Sequence, residues 1–129
     1  GYYERKSYRP KKKNHFDGDV YVLINGPTFS ASTLFTHTVK GQDNVLVVGE
    51  EAGGGWYGNN GIMIPDIILP VTKLRVRLPV FKIVQYRHVQ KDGRGVQPDV
   101  YIPPMGEAIK NSVDRKMNWI MERIKSKLN

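Results

Sequence analysis

The chain has 129 residues, a net charge of +8 and no cysteine. That length supports one domain with its own core, and the lack of cysteine excludes a disulfide framework or a thiolate metal site. The positive charge is spread along the chain, with one cluster at Lys11-Lys12-Lys13 and another from Arg115 to Lys127. No basic stripe is interleaved with aromatics, so nucleic acid is not expected as a partner.

The first eighteen residues are polar, basic and aperiodic, and read as an arm or linker from a preceding segment. The start at Gly1 rather than Met suggests a processed N-terminus, and no leader or membrane span is visible. Residues 19–129 form the folded part. Within it, Val20 to Asn25 is apolar and β-branched and predicts a buried strand. Gly26-Pro27-Thr28 is a turn, and a helix is predicted from Ser30 to Lys40, with Ala31, Leu34, Phe35 and Thr38 or Val39 on its inner face. Val45 to Val48 is a second apolar strand. The opening is therefore βαβ, which favours a parallel pair covered by helices.

Strand, tight turn, serine, helix is a layout that sets a nucleophile at a helix N-terminus. There the free N–H groups and the helix dipole favour developing negative charge. Ser30 and Ser32 both fall in this region, and an ordinary N-cap explains either as well.

Gly49 to Gly61, GEEAGGGWYGNNG, is glycine-rich without a phosphate-loop ending. It reads as a loop that admits close approach of another chain, or as a plain hairpin tip. Strands are predicted over Ile62–Leu69, Lys73–Leu78 and Phe81–Tyr86, interrupted by Pro65, Pro70 and Pro79. The alternation in Lys73–Leu78 gives that strand one wet face. Residues 90–98 form a turn, and Asp99 to Ile102 a last strand. A helical turn over Met105–Lys110 and a helix capped by Asp114 follow, the latter with Met117, Ile120, Met121, Ile124 and Leu128 as its buried stripe.

TFSASTLF, VLVVGEEAGGG and GRGVQPDV, in that order, resemble the catalytic core of C-terminal processing peptidases (tail-specific proteases), which share a serine peptidase family with the tricorn core. The match runs from about Gly18 to Ile102. It implies a crotonase-like (ClpP-like) α/β fold: a βαβ core with extra β-hairpin strands and a C-terminal helix. It also implies hydrolysis of peptide bonds with no metal or cofactor. Counting back nineteen residues from Gly49 selects Ser30 as nucleophile over Ser32. The N–H of Ala31 becomes an oxyanion donor, and Gly53, Gly54, Gly55 and Trp56 lie along an extended substrate.

Two departures bear on mechanism. The lysine of the bacterial enzymes, twenty-five residues after the serine, is Gly55 here. The tricorn-type branch carries glycine there and takes a histidine from upstream, with a Glu just before the G-V-x-P-D motif; Asp92 holds that place here. Asp92 is thus a catalytic candidate, or a plain turn former before Gly93. His37 lies roughly 10 Å along the helix from Ser30, His15 falls in the arm, and His88 is a minor candidate. The base is expected from an upstream part of the same protease, and this chain alone is expected to be inactive. The implied partners are a polypeptide substrate and that upstream part, with an oligomer compatible. Relatives are often exported, which favours the periplasm or cell surface. The alternatives are a non-catalytic domain that binds peptide or a partner, and acyl-thioester chemistry, for which no adenine-nucleotide pocket is evident.

Overall fold

A computed structural model describes residues 13–85 and 90–128. Most of the predicted arm, residues 1–12, and His88 lie outside the described residues. β1 (Val20–Ile24) and β2 (Val45–Gly49) pair in parallel, from Val20 opposite Val45 to Ile24 opposite Gly49. β7 (Val100–Tyr101) adds in parallel on the other side of β2. The order β1-β2-β7 makes β2 central and leaves β1 at the edge among the described residues. The strands are apolar because both faces of β2 are covered: Val47 and Val48 are fully buried. Ile24, Val47, Ala52 and Val96 form the core, with Val22, Val45 and Trp56 against it.

Asp99 closes this sheet. Its carboxylate accepts the N–H of Val47 at 2.9 Å and pairs with Lys40 at the end of the preceding helix. The last residue of the G-V-x-P-D motif therefore ties β7 to β2 and to the crossover.

α1 (Ala31–Val39) connects β1 to β2, as the periodicity requires, but it does not bury the predicted face. Thr33, Thr36 and His37 face inward, while Ala31, Phe35 and Thr38 are exposed. Threonine can be buried here because its hydroxyl finds a carbonyl: Thr36 donates to Ser32 O at 2.8 Å and Thr33 to Thr28 O at 3.1 Å.

The glycine-rich segment contributes β3 (Gly58–Asn59), which pairs antiparallel with β6 (Ile83–Val84). β4 (Asp66–Ile68) and β5 (Arg75–Arg77) form a separate hairpin. These strands are shorter than predicted because Pro65, Pro70 and Pro79 bound them. Every residue of β4 and β5 is exposed, so β5 is wet on both faces rather than one.

α2 (Gly106–Lys110) and α3 (Arg115–Leu128) complete the described chain. Asp114 caps α3 as predicted, accepting the N–H of Met117 at 3.0 Å. Its apolar stripe is not buried, however: only Ile120 is, while Met117, Met121, Ile124 and Leu128 are exposed. Among the described residues the helix meets the rest of the fold through Ile120, the pairing of Lys116 with Glu50 at 3.1 Å and, near its end, the pairing of Lys127 with Asp19 just before β1.

Candidate active site

The turn after β1 is locked by its own side chains. Thr28 N–H donates to Asn25 O at 2.9 Å, and Asn25 N–H donates to Thr28 Oγ1 at 3.1 Å. Thr28 Oγ1 donates in turn to Asn25 Oδ1 at 3.2 Å. Two residues on, the backbone of Ser30 is held at φ 53° and ψ −121°. A side chain in that region is strained, at about 1–3 kcal/mol, and persists only where its surroundings dictate it. Ser30 precedes α1 directly, so it occupies the N-cap position, yet its hydroxyl makes no capping bond. The capping reading requires such a bond. The side chain is instead exposed, one residue before the Ala31 N–H, a first-turn group without a carbonyl partner inside the helix.

The glycine-rich loop wraps this corner. Gly54 N–H donates to Thr28 O at 2.9 Å. A Cβ on Gly54 would stand 2.3 Å from Thr33 Oγ1 and 3.2 Å from Ser30 N, so only glycine lets the loop pass this close to the serine. Further on, a Cβ at Gly61 would lie 3.9 Å from Ser30 Oγ, which brings the far end of the loop to the hydroxyl. Ala52, Gly54 and Trp56 donate their N–H groups internally, to Val96 O, Thr28 O and Arg94 O. Gly53 and Gly55 are the exposed positions of the segment. An open groove of about 520 Å³ runs beside Ala31, lined by Leu23, Pro27, Thr28, Ala31 and Phe35 among others.

Asp92 is tied to this loop by a side chain. Its Oδ1 accepts the indole N–H of Trp56 at 3.1 Å and the N–H of Arg94 at 2.9 Å. The Arg94 contact is that of a turn-forming Asp; the Trp56 contact reaches across 36 residues. Trp56 then meets the buried His37 ring edge-on, with centroids 6.1 Å apart. His37 thus lies on the buried face of α1. The exposed His15 pairs with Asp17 at 3.0 Å.

Glu51 does the matching work on the other side of the turn. Its carboxylate accepts the N–H of Gly95 at 2.8 Å and pairs with Arg94 at 2.6 Å. A hydrogen bond from Gln97, then the one from Gly95, holds the Glu51 carboxyl below the usual range. The N–H of Arg94 and then the Trp56 indole do the same for Asp92. Both folded pKa values lie below the unfolded ones. Each carboxylate therefore adds stability above the unfolded value, and that stability is lost as pH falls through the folded value. Acidification below about pH 4 should release the 92–97 turn before the sheet. The indole Nε1–H resonance of Trp56, followed by NMR, checks this; a resonance unmoved until global unfolding would count against the clamp.

The structure thus gathers Ser30, Ala31, Gly53, Gly54 and Gly55 at one corner, with Trp56 leading from it to Asp92. The sequence reading missed Thr28, Thr33 and Glu51. The only signal for Glu51 was its place beside Glu50 in an otherwise neutral loop, and nothing local marks its partner as Gly95.

No curated protein matches the chain. The model of peptidase family S41 matches residues 1–102, which span the strand–serine–helix unit, the glycine-rich loop and the G-V-x-P-D turn. With most of its length matched, this mixed α/β chain belongs to peptidase family S41, the family of the C-terminal processing peptidases.

Proposed function

We propose that residues 19–129 are the C-terminal part of a serine endopeptidase domain with a crotonase-like core, preceded by a basic arm. Ser30 Oγ attacks the scissile carbonyl, and its proton passes to a base and then to the leaving amine as the C–N bond breaks. Water then hydrolyses the acyl-enzyme. The observation that carries this reading is the strained Ser30 backbone, φ 53° and ψ −121°, beneath an exposed hydroxyl that caps nothing. Strain of this kind is kept where geometry serves function. Ala31 N–H helps to hold the oxyanion, substrate lies across Gly53 and Gly55, and Asp92 acts on the site through Trp56.

The base is an upstream histidine, as in the tricorn-type branch. In α1 His37 is turned to Trp56, Lys40 just after the helix is turned to Asp99, and Gly55 replaces the lysine of the other branch. Losing general-base help costs roughly 10²–10⁴ in rate. The 129-residue chain alone should therefore show no peptide turnover above background. Turnover that disappears with Ser30→Ala would place a base within these residues and make His88 the first candidate.

The test of the reading is a fluorophosphonate probe on the longer polypeptide, with the labelled peptide identified by mass spectrometry. Label on Ser30 supports the peptidase. Absence of label, with retained peptide binding, favours a non-catalytic binding domain.

A further inference from the structure

We propose that Thr33 is a positioning residue for Ser30, acting through the carbonyl of Thr28; this rests on the reading of Ser30 as nucleophile. Thr28 O accepts two hydrogen bonds, from Thr33 Oγ1 at 3.1 Å and from Gly54 N–H at 2.9 Å. One oxygen thus joins α1, the turn before the nucleophile and the glycine-rich loop. Thr33 is 1 % exposed, so no water competes for that bond. Its hydroxyl also bounds the space that Gly54 occupies, since a Cβ on Gly54 would stand 2.3 Å from it.

Ser30 lies two residues after Thr28 and three before Thr33. Its backbone therefore spans two points that the bond pins together, and a strained conformation needs such a constraint. Without the hydroxyl, Thr28 O keeps only the Gly54 donor, and the peptide units around Ser30 can relax toward unstrained values. The Ser30 hydroxyl and the Ala31 N–H then lose their fixed relation, which affects the reaction more than substrate binding. A misplacement of about 1 Å at a reacting group costs up to about 10²-fold in rate.

The test uses the proposed peptidase together with the upstream part that the proposed function requires. Thr33→Val removes the hydroxyl at nearly constant volume, and Thr33→Ser keeps it. Expected for Thr33→Val is a fall in kcat of about 10- to 100-fold with KM changed less than about threefold, and an equally slowed reaction with a fluorophosphonate probe. Thr33→Ser should restore most of both. If Thr33→Val does not fold, as judged by its thermal transition, Thr33→Ala makes the same deletion without added bulk. A Thr33→Val protein with kcat within about twofold of the parent overturns the proposal, as does a loss that Thr33→Ser fails to restore. Ser30→Ala run in parallel separates the two readings. If it retains turnover, the nucleophile is wrong and this proposal falls with it. If it is dead while Thr33→Val is unaffected, only the role of Thr33 is wrong.

Discussion

Ser30→Ala in the longer polypeptide should abolish peptide turnover, by about 10⁶-fold if Ser30 behaves as other serine nucleophiles do. Ser32→Ala should leave most of it. Among the described residues Ser32 hydrogen-bonds through its backbone: its N–H donates to Phe29 O at 3.1 Å and its carbonyl accepts Thr36 Oγ1. Alanine keeps both bonds. The reverse result, with Ser32→Ala inactive and Ser30→Ala active, moves the nucleophile. The strain offers an independent check that needs no activity. Glycine at position 30 tolerates φ 53° and ψ −121° where alanine does not. Ser30→Gly should therefore be more stable than Ser30→Ala by about 1 kcal/mol, read from urea midpoints. Equal midpoints would mean that the turn is not strained in solution.

Gly95→Ala should be the most destabilising small substitution in the chain. Gly95 is buried opposite Gly55 in an antiparallel bridge. A Cβ there would stand 1.7 Å from Ala52 O and 3.0 Å from Gly54 O. Both are backbone atoms, so no side chain can turn aside, and the two segments must separate. Separation breaks the bonds from Ala52 to Val96 O, from Trp56 to Arg94 O and from Gly95 to Glu51. It also opens the core, because Ala52 and Val96 are two of its buried members. Overpacking of this kind, with lost hydrogen bonds, costs on the order of 3 kcal/mol or more. Denaturant unfolding of the 129-residue chain reads it directly. A loss below about 1 kcal/mol would show that the loop and the 94–96 segment do not approach this closely.

Much of this protein was legible in local sequence. Val20–Ile24 and Val45–Gly49 declare strands by composition, although β1 is only half-buried and exposes Leu23; the helix between them declares the crossover, and Pro65, Pro70 and Pro79 mark where the later strands stop. Order and spacing alone placed Ser30 at the head of α1. These features depend on neighbours within a few residues, which is the range over which period and turn chemistry act.

The tertiary structure decided what lies across longer separations. Apolar period predicts the wrong inner face for α1, because it cannot credit Thr33 and Thr36 with carbonyls that satisfy their hydroxyls. The stripe of α3 is apolar by the same rule yet remains mostly exposed, since burial requires a partner surface and not only a pattern. Asp92 reads from the sequence as turn former or site residue; in the fold its carboxylate bonds the N–H of Arg94, as a turn former does, and also the indole of Trp56, a contact that no local pattern marks. The backbone angles of Ser30 are set by Thr28, whose carbonyl is held from one side by a residue five positions on and from the other by a loop twenty-six positions on. Strain is invisible in the letters of a sequence because it belongs to the closure of the chain: a serine next to a helix becomes a poised hydroxyl only when distant segments prevent it from relaxing into a cap.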